Sequence, residues 1–163
     1  MRKVIVNSTP LIALSHVKQL GLLRDLYGQV TIPRAVYNEI SVKTDSSCKK
    51  AVDNALGWIV VEDIKNQMAK NMYKTQLHEG EVEVMILSLE QDADLVVIDN
   101  ANAKKHAKYL NLNVTGTLGI LIKAKQKGYI NELKPILEEM VEKHIYLSDK
   151  LIKMCLEQVG EKI

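Results

Sequence analysis

Apolar positions along the chain follow two rhythms. In residues 77–100, L-H-E-G-E-V-E-V-M-I-L-S-L-E-Q-D-A-D-L-V-V-I-D-N, the side chains Val82, Met85, Ile86 and Leu89 recur at i, i+3, i+4 and i+7. That spacing predicts a helix with one apolar face. Residues 91–94 break the pattern, and 95–98 is a short, continuous, β-branched run that suits a strand covered on both faces. The same alternation runs through the chain. Strands are expected at 3–6, 30–32, 58–61, 95–98 and 112–114, the one at 58–61 on a sheet edge. A helix is expected after Ser8 or Thr9 as cap and Pro10 in its first turn, broken near Gly21 and closed by Gly28. Others are expected after Pro33, through Ala51 to Leu56, over 101–110, and from Thr117 to before Gly128. The last two carry Leu133, Ile136, Leu137, Met140 and Val141, then Leu151, Ile152, Cys155 and Val159 behind a Ser148 cap. A polar break covers 43–47, and residues 62–76 are polar with Met68 and Met72 at helical spacing. Met68, Met72 and Met85 read as core or partner packing. Strands alternating with helices imply a three-layer α/β/α fold around a parallel sheet of four or five strands, with 4–6 and 95–98 adjacent at its centre.

Composition narrows the class. At 163 residues the chain suits one domain with a sizeable core. Hydrophobic residues at 47% and charged residues at 26% exclude a disordered chain. With no Phe and one Trp, the core must be mainly aliphatic. A net charge of +2 does not by itself call for a polyanion, so a nucleic acid would need a local basic patch or bridging cations. Cys48 and Cys155 are isolated thiols without a pairing framework, which points to a reducing compartment. No apolar run is long enough for a signal peptide or a membrane span, so a cytoplasmic location is expected.

The chemistry concentrates where strands end and helices begin. Asn7 follows the first strand, Asp99 follows the central one, Glu81 opens the helix before it, and Glu39 lies in the helix after the second strand. Ligands of open parallel sheets bind outside the carboxyl ends of the strands. Carboxylates gathered there repel one another, and a convergent set serves to hold a cation; oxygen-only ligands favour Mg²⁺ or Mn²⁺. Such a cation activates water and offsets charge on a phosphoryl oxygen. An ordinary account of the same residues exists. Acids favour helix N-termini, and Asp-Asn after a strand is normal turn chemistry.

Five segments carry a family resemblance: V-I-V-N-S-T-P-L-I-A-L (4–14), I-P-R-A-V-Y-N-E-I (32–40), L-H-E-G-E-V-E-V-M-I-L-S-L-E (77–90), A-D-L-V-V-I-D-N (93–100) and N-V-T-G-T-L-G-I-L (113–121). In this order they resemble the PIN-domain superfamily, within it an uncharacterised prokaryotic PIN-like branch. The resemblance spans 1–163 as a single PIN-like domain, with the last two helices, about 131–160, as an appended pair. It implies a divalent-metal-dependent endoribonuclease related to the toxins of toxin–antitoxin pairs, with single-stranded RNA as substrate and a small antitoxin protein as partner. Carried over residue by residue, the acids fall on Glu39, Glu81 and Asp99, with Glu79 and Glu83 competing for the place of Glu81, which directly follows the glycine. The first acid falls on Asn7, a departure at the superfamily's most characteristic aspartate, and Asn100 stands where this branch often has a further acid. Both changes remove charge, so Mg²⁺ or Mn²⁺ binding is expected to be weak and activity low. Thr9 matches the small hydroxyl residue that follows the first acid.

Thr115, Thr117 and Lys104 are the further substrate-binding candidates; for Thr115 and Thr117 a helix cap explains the residues as well. Lys104, Lys105 and Lys108, and Lys123, Lys125 and Lys127, form either a phosphate track or a solvated helix face. His16, His78, His106 and His144 lack metal-ligand spacing. Two other functions remain at this level. One is a catalytically degenerate PIN-like domain that binds a protein partner or RNA. The other is a phospho-receiver domain, which needs acids after its first strand and meets Asn7. Met154 and Leu156, on positions off the core face of the last helix, suggest a homodimer.

Overall fold

The computed structural model describes residues 2–42, 47–73 and 77–162. Five strands, β1 (Val4–Val6), β2 (Val30–Pro33), β3 (Ile59–Glu62), β4 (Leu95–Val97) and β5 (Val114–Thr115), form one sheet in the order β3-β2-β1-β4-β5. Every pairing is parallel. Helices α1 (Ser8–His16) and α2 (Leu22–Tyr27) follow β1, and α3 (Arg34–Val42) and α4 (Ser47–Asn54) follow β2. Helices α5 (Gln67–Tyr73) and α6 (Glu79–Glu90) precede β4, and α7 (Ala101–Tyr109) precedes β5. The chain then continues through α8 (Thr117–Gln126), α9 (Lys134–Glu142) and α10 (Asp149–Gln158). Helices cover both faces of the sheet, which is the expected three-layer α/β/α arrangement with five strands.

The two most apolar runs lie side by side at the centre, in register Val4 to Leu95, Ile5 to Val96 and Val6 to Val97, and all six side chains are buried. The strand at 59–62 takes an edge, as its pattern predicts. Strand order excludes the receiver fold, which runs 2-1-3-4-5. Here the chain moves from β1 outward to β3, then crosses back to lay β4 on the other side of β1. The direction of winding therefore reverses between β1 and β4. At such a switch point the crossing connections part and leave a crevice at the carboxyl ends of the strands. Asn7 and Asp99 are the residues that emerge there.

Several local expectations are corrected. Helix α6 is buried from Gly80 to Ser88, all the way round, while Leu89 is 44% exposed. One apolar face is too narrow a description, because α6 packs against α3 and α5 and also reaches β1 and β2. Leu156 is 1% exposed and belongs to the core, so of the pair that suggested a homodimer only Met154 is on the surface. Met68 is exposed, so of its two expected roles packing in the core is ruled out. The last strand forms at Val114–Thr115, slightly beyond the expected 112–114, because Leu112 closes the turn after α7 with its N–H on the Ala107 carbonyl. Asn7, not Ser8 or Thr9, is the N-cap of α1. Residues 43–46 of the polar break and 74–76 before α6 lie outside the described residues.

The C-terminal helices are tied to the rest by polar contacts as well as packing. The Glu161 carboxylate accepts the N–H groups of Leu133 and Lys134 at 2.6 and 3.1 Å, capping α9 from the far end of the chain. Those bonds and Lys125 hold the Glu161 carboxyl below its ordinary pKa despite the opposing effect of burial, the largest single influence on it. Ser148 caps α10 as predicted, its Oγ accepting from the Leu151 N–H at 3.1 Å. Among the described residues no helix is long and apolar enough to cross a membrane.

Candidate active site

Asn7 occupies an N-cap position, where an asparagine oxygen ordinarily accepts a hydrogen bond from the first turn of the helix. Here it makes no such bond. Its backbone N–H continues the sheet by donating to the Val97 carbonyl at 3.0 Å, and the side chain is 3% exposed. Its Oδ1 is fully buried and has no hydrogen-bond partner among the described residues. A buried acceptor left unpaired costs about 1–3 kcal/mol. The reason it is tolerated lies in what faces it.

Glycine 80, in the first turn of α6, supplies the space. A Cβ at Gly80 would stand 3.1 Å from Glu39 Oε2 and 3.7 Å from Asn7 Oδ1. Helix α3 brings Glu39 to this point, and β1 brings Asn7. Both oxygens thus lie close against the backbone at Gly80, where a side chain would crowd them. Two oxygen donors brought to one place on the backbone are the donor type that a hard cation takes.

The three acids of α6 have separate fates. Glu81 is buried, and its Oε1 accepts from the His78 N–H at 3.0 Å, the capping contact of the helix start. Glu83 is also buried, with Oε1 on the Ala35 N–H at 3.0 Å and Oε2 on Lys70 Nζ at 2.8 Å. Glu79 lies at the surface and shares Lys70 at 2.5 Å. The hydrogen bonds that Lys70 donates to Glu79 and then to Glu83 hold its ammonium above the ordinary lysine pKa. Its contribution to stability is therefore complete below the unfolded lysine pKa and is lost only as pH rises through the elevated folded one. Glu83 thus serves α3 and Lys70.

Asp99 is held from α8. Its Oδ1 accepts from the Thr117 N–H at 2.7 Å and its Oδ2 from the Thr117 hydroxyl at 2.6 Å. A carboxylate has about four lone-pair sites, so both oxygens keep acceptor capacity. Gly116 makes the approach possible: a Cβ there would lie 2.7 Å from Asp99 Oδ1, 3.0 Å from Lys104 Nζ and 3.3 Å from the Ile98 carbonyl oxygen. Lys104 Nζ and the Asp99 carboxylate therefore converge on one point. Gly116→Ala is expected to lower stability by about 1–3 kcal/mol through this overpacking. Thermal melts of parent and variant would read it, and an unchanged midpoint would show that Asp99 is not pinned against residue 116.

Beside Asp99 opens a cleft of about 650 Å³. Thr9, Thr115, Thr117 and Lys104, the four substrate-binding candidates, all line it together with Asp99. Its other wall is apolar and comes from α9, α10 and their connection, a wall that no sequence motif marked. The more distant lysines go elsewhere. Lys123 Nζ lies 5.0 Å from the centre of the Tyr27 ring, which Arg2 also approaches at 5.6 Å. Arg2 precedes β1, so this cluster sits at the amino-terminal edge of the sheet, about 20 Å along the strands from Asp99. Lys125 pairs with Glu161 at 3.5 Å. Lys123 and Lys125 are thus not a track beside the candidate site. Asn100 has a structural task, its Oδ1 capping α7 through the Ala103 N–H at 3.0 Å.

Asn7 and Glu39 thus meet at Gly80, while Asp99 and the candidate substrate residues meet at the cleft. Among the described residues, no three Asp, Glu, His or Cys side chains lie close enough together to hold a metal ion by themselves. A comparison of the chain with curated proteins found no match. A family model described as a PIN domain matches residues 3–161, from the start of β1 through α10. With that match over nearly the whole chain, and the five-stranded parallel sheet beneath it, the protein belongs to the PIN-domain family.

Proposed function

We propose that this PIN domain is a weak, divalent-metal-dependent ribonuclease whose metal is held at the Asn7–Glu39 gap. The observation that carries the reading is the buried Oδ1 of Asn7, without a hydrogen-bond partner among the described residues and close to the same point at Gly80 as Glu39 Oε2. A buried acceptor beside a carboxylate is matched by a cation, and the donors are oxygen only, which fits Mg²⁺ or Mn²⁺. Glu81 and Asp99 are the remaining candidate ligands, each with spare lone pairs. A bound ion would supply water activation and charge stabilisation at a phosphoryl oxygen.

The chain's own residues do the rest. Thr117 fixes the Asp99 carboxylate in place. Lys104, at the same end of the cleft, attracts a phosphate. Thr9 and Thr115 offer hydroxyls along that wall. The amide at position 7 brings no formal charge, so affinity is expected to be weak and to favour Mn²⁺ over Mg²⁺, following the usual order of divalent affinities.

The test is a Mn²⁺ titration of the parent, Glu39→Gln and Gly80→Ala, read by calorimetry and by cleavage of a single-stranded RNA. Glu39→Gln removes charge, and Gly80→Ala fills the gap. Both are expected to weaken Mn²⁺ binding at least about tenfold, the size of a loss near 1.4 kcal/mol. If Gly80→Ala binds Mn²⁺ as the parent does, the gap is not the metal site. The absence of a three-acid cluster among the described residues favours a second reading, a degenerate PIN domain that binds RNA or a protein partner without cutting. RNA bound equally with and without Mn²⁺, and never cleaved, would establish that reading instead. The toxin role would show as growth arrest on induction, relieved by a small protein encoded beside the gene.

A further inference from the structure

We propose that the cleft beside Asp99 is a nucleobase pocket, taking one unpaired base of an RNA strand whose phosphate lies at the Lys104 end. This rests on the ribonuclease reading for the class of substrate and adds which part of the substrate the cleft grips.

At about 650 Å³ the cleft falls within the usual range of small-molecule sites. Its polar and apolar linings come from different elements. Asp99, Lys104, Thr115 and Thr117 come from the ends of β4 and β5 and the helices that start there, beside Val114 and Leu118, whereas Met140, Ile145, Leu147 and Leu151 come from α9, α10 and their connection. A nucleotide has the same asymmetry, an apolar ring face at one end and a charged phosphate at the other. A base inside a duplex has both faces covered by its neighbours, so only an unpaired one can enter.

Tyr146 supports the choice of occupant. It lines the cleft yet is 88% exposed, a large aromatic ring standing in water at the rim. Stacking on an aromatic side chain is the common way proteins hold single-stranded bases, and it tolerates any sequence because every base has a π-face. The lysine sets the direction. Lys104 Nζ and Asp99 Oδ1 border the same point beside Gly116, and the Asp99 charge is spread over two hydrogen bonds from Thr117. The ammonium is the group there that attracts a phosphate.

The experiment measures binding, with no cleavage involved. A fluorescein-labelled RNA hexamer of uridines and the same backbone without bases are titrated by anisotropy, in excess EDTA, into the parent, Tyr146→Ala, Tyr146→Trp and Lys104→Ala. The parent should prefer the base-bearing strand by about tenfold, within the range of one base–aromatic stack. Tyr146→Ala should lose most of that preference, and Tyr146→Trp should keep it. Lys104→Ala should weaken both strands alike and lower the salt slope by about one. Equal binding of the two strands by the parent overturns the proposal, as does an undiminished preference in Tyr146→Ala. Failure of both strands to bind also overturns it, and leaves the cleft to apolar side chains of a protein partner. Base preference without any Mn²⁺-dependent cleavage would sink the nuclease reading and leave the pocket standing.

Discussion

Asn7→Asp is expected to tighten Mn²⁺ binding about tenfold to a hundredfold and to raise RNA cleavage with it. The two side chains have nearly the same shape, so the change at this buried position is one of charge. At an effective dielectric of about 20, two unit charges roughly 4 Å apart interact by about 4 kcal/mol; a divalent ion doubles that figure, and desolvation cancels much of it. A net gain of about 1–3 kcal/mol remains, which converts to the stated range. The same variant without metal places a buried carboxylate near that of Glu39, beside Gly80. Like charges so close disfavour ionisation of both. The metal-free variant should therefore melt below the parent and recover on adding Mn²⁺, whereas the parent responds less. Asp99→Asn should reduce both binding and cleavage while keeping the fold, because an amide can still accept the Thr117 N–H and donate to its hydroxyl. Calorimetry and thermal melts with and without Mn²⁺ decide the matter. Equal Mn²⁺ affinity in the parent and Asn7→Asp would show that position 7 does not serve the ion.

How far the sequence led can be seen at particular residues. The central strands were legible because burial on two faces demands an uninterrupted apolar run, and residues 4–6 and 95–98 supply the two clearest ones. The helix caps at Ser148 and the turn at Gly28 were legible because their chemistry is local. Helix α6 was harder. Its one-sided spacing picked out Val82, Met85 and Ile86, which are buried, and Leu89, which is not; it missed Val84 and Leu87, which are buried as well because α3 and α5 also pack on the helix. Leu156 misled for the same reason, since the partner that covers it is distant in the chain. The site divides likewise. Asn7 and Asp99 could be placed at the carboxyl edge from strand ends alone, whereas Glu39 lies inside the helix after β2 and needed the helix turn to be assigned to that end. Gly80 and Gly116 could not be seen as providers of space, because what they make room for comes from other elements. Tyr146 lies in a connection with no motif, and only the folded chain brings it to the Asp99 cleft.

Glu79, Glu81 and Glu83 could not be ranked from spacing, and the structure makes a sharp prediction about one of them. Glu83→Ala is expected to destabilise the protein by about 3 kcal/mol without acting through the metal. The side chain is 5% exposed and both its oxygens are engaged, one on the Ala35 N–H and one on Lys70. Ala35 is the second residue of α3, whose first N–H groups have no partner within the helix. Glu83 therefore caps α3 from another element, an anion at the positive end of a helix dipole. Removing it leaves that N–H unsatisfied and leaves Lys70, mostly buried, with the surface carboxylate of Glu79. Losing one partner of a buried ion pair costs about 3–5 kcal/mol, and the remaining Glu79 contact places this case near the lower end. For a chain of this size each kcal/mol shifts the melting midpoint by about 2–4 °C, so a fall of about 6–12 °C is expected. Glu83→Gln should cost less, since an amide oxygen still accepts from Ala35 while the charge on Lys70 is lost. Because α3 also carries Glu39, loosening its start should weaken Mn²⁺ binding only as the helix frays. At a temperature well below the melt of Glu83→Ala, its Mn²⁺ affinity should stay within about twofold of the parent, the limit within which independent sites add. A variant that keeps its melting midpoint but loses Mn²⁺ binding would reverse the assignment, and make Glu83 rather than Glu81 the metal acid of α6.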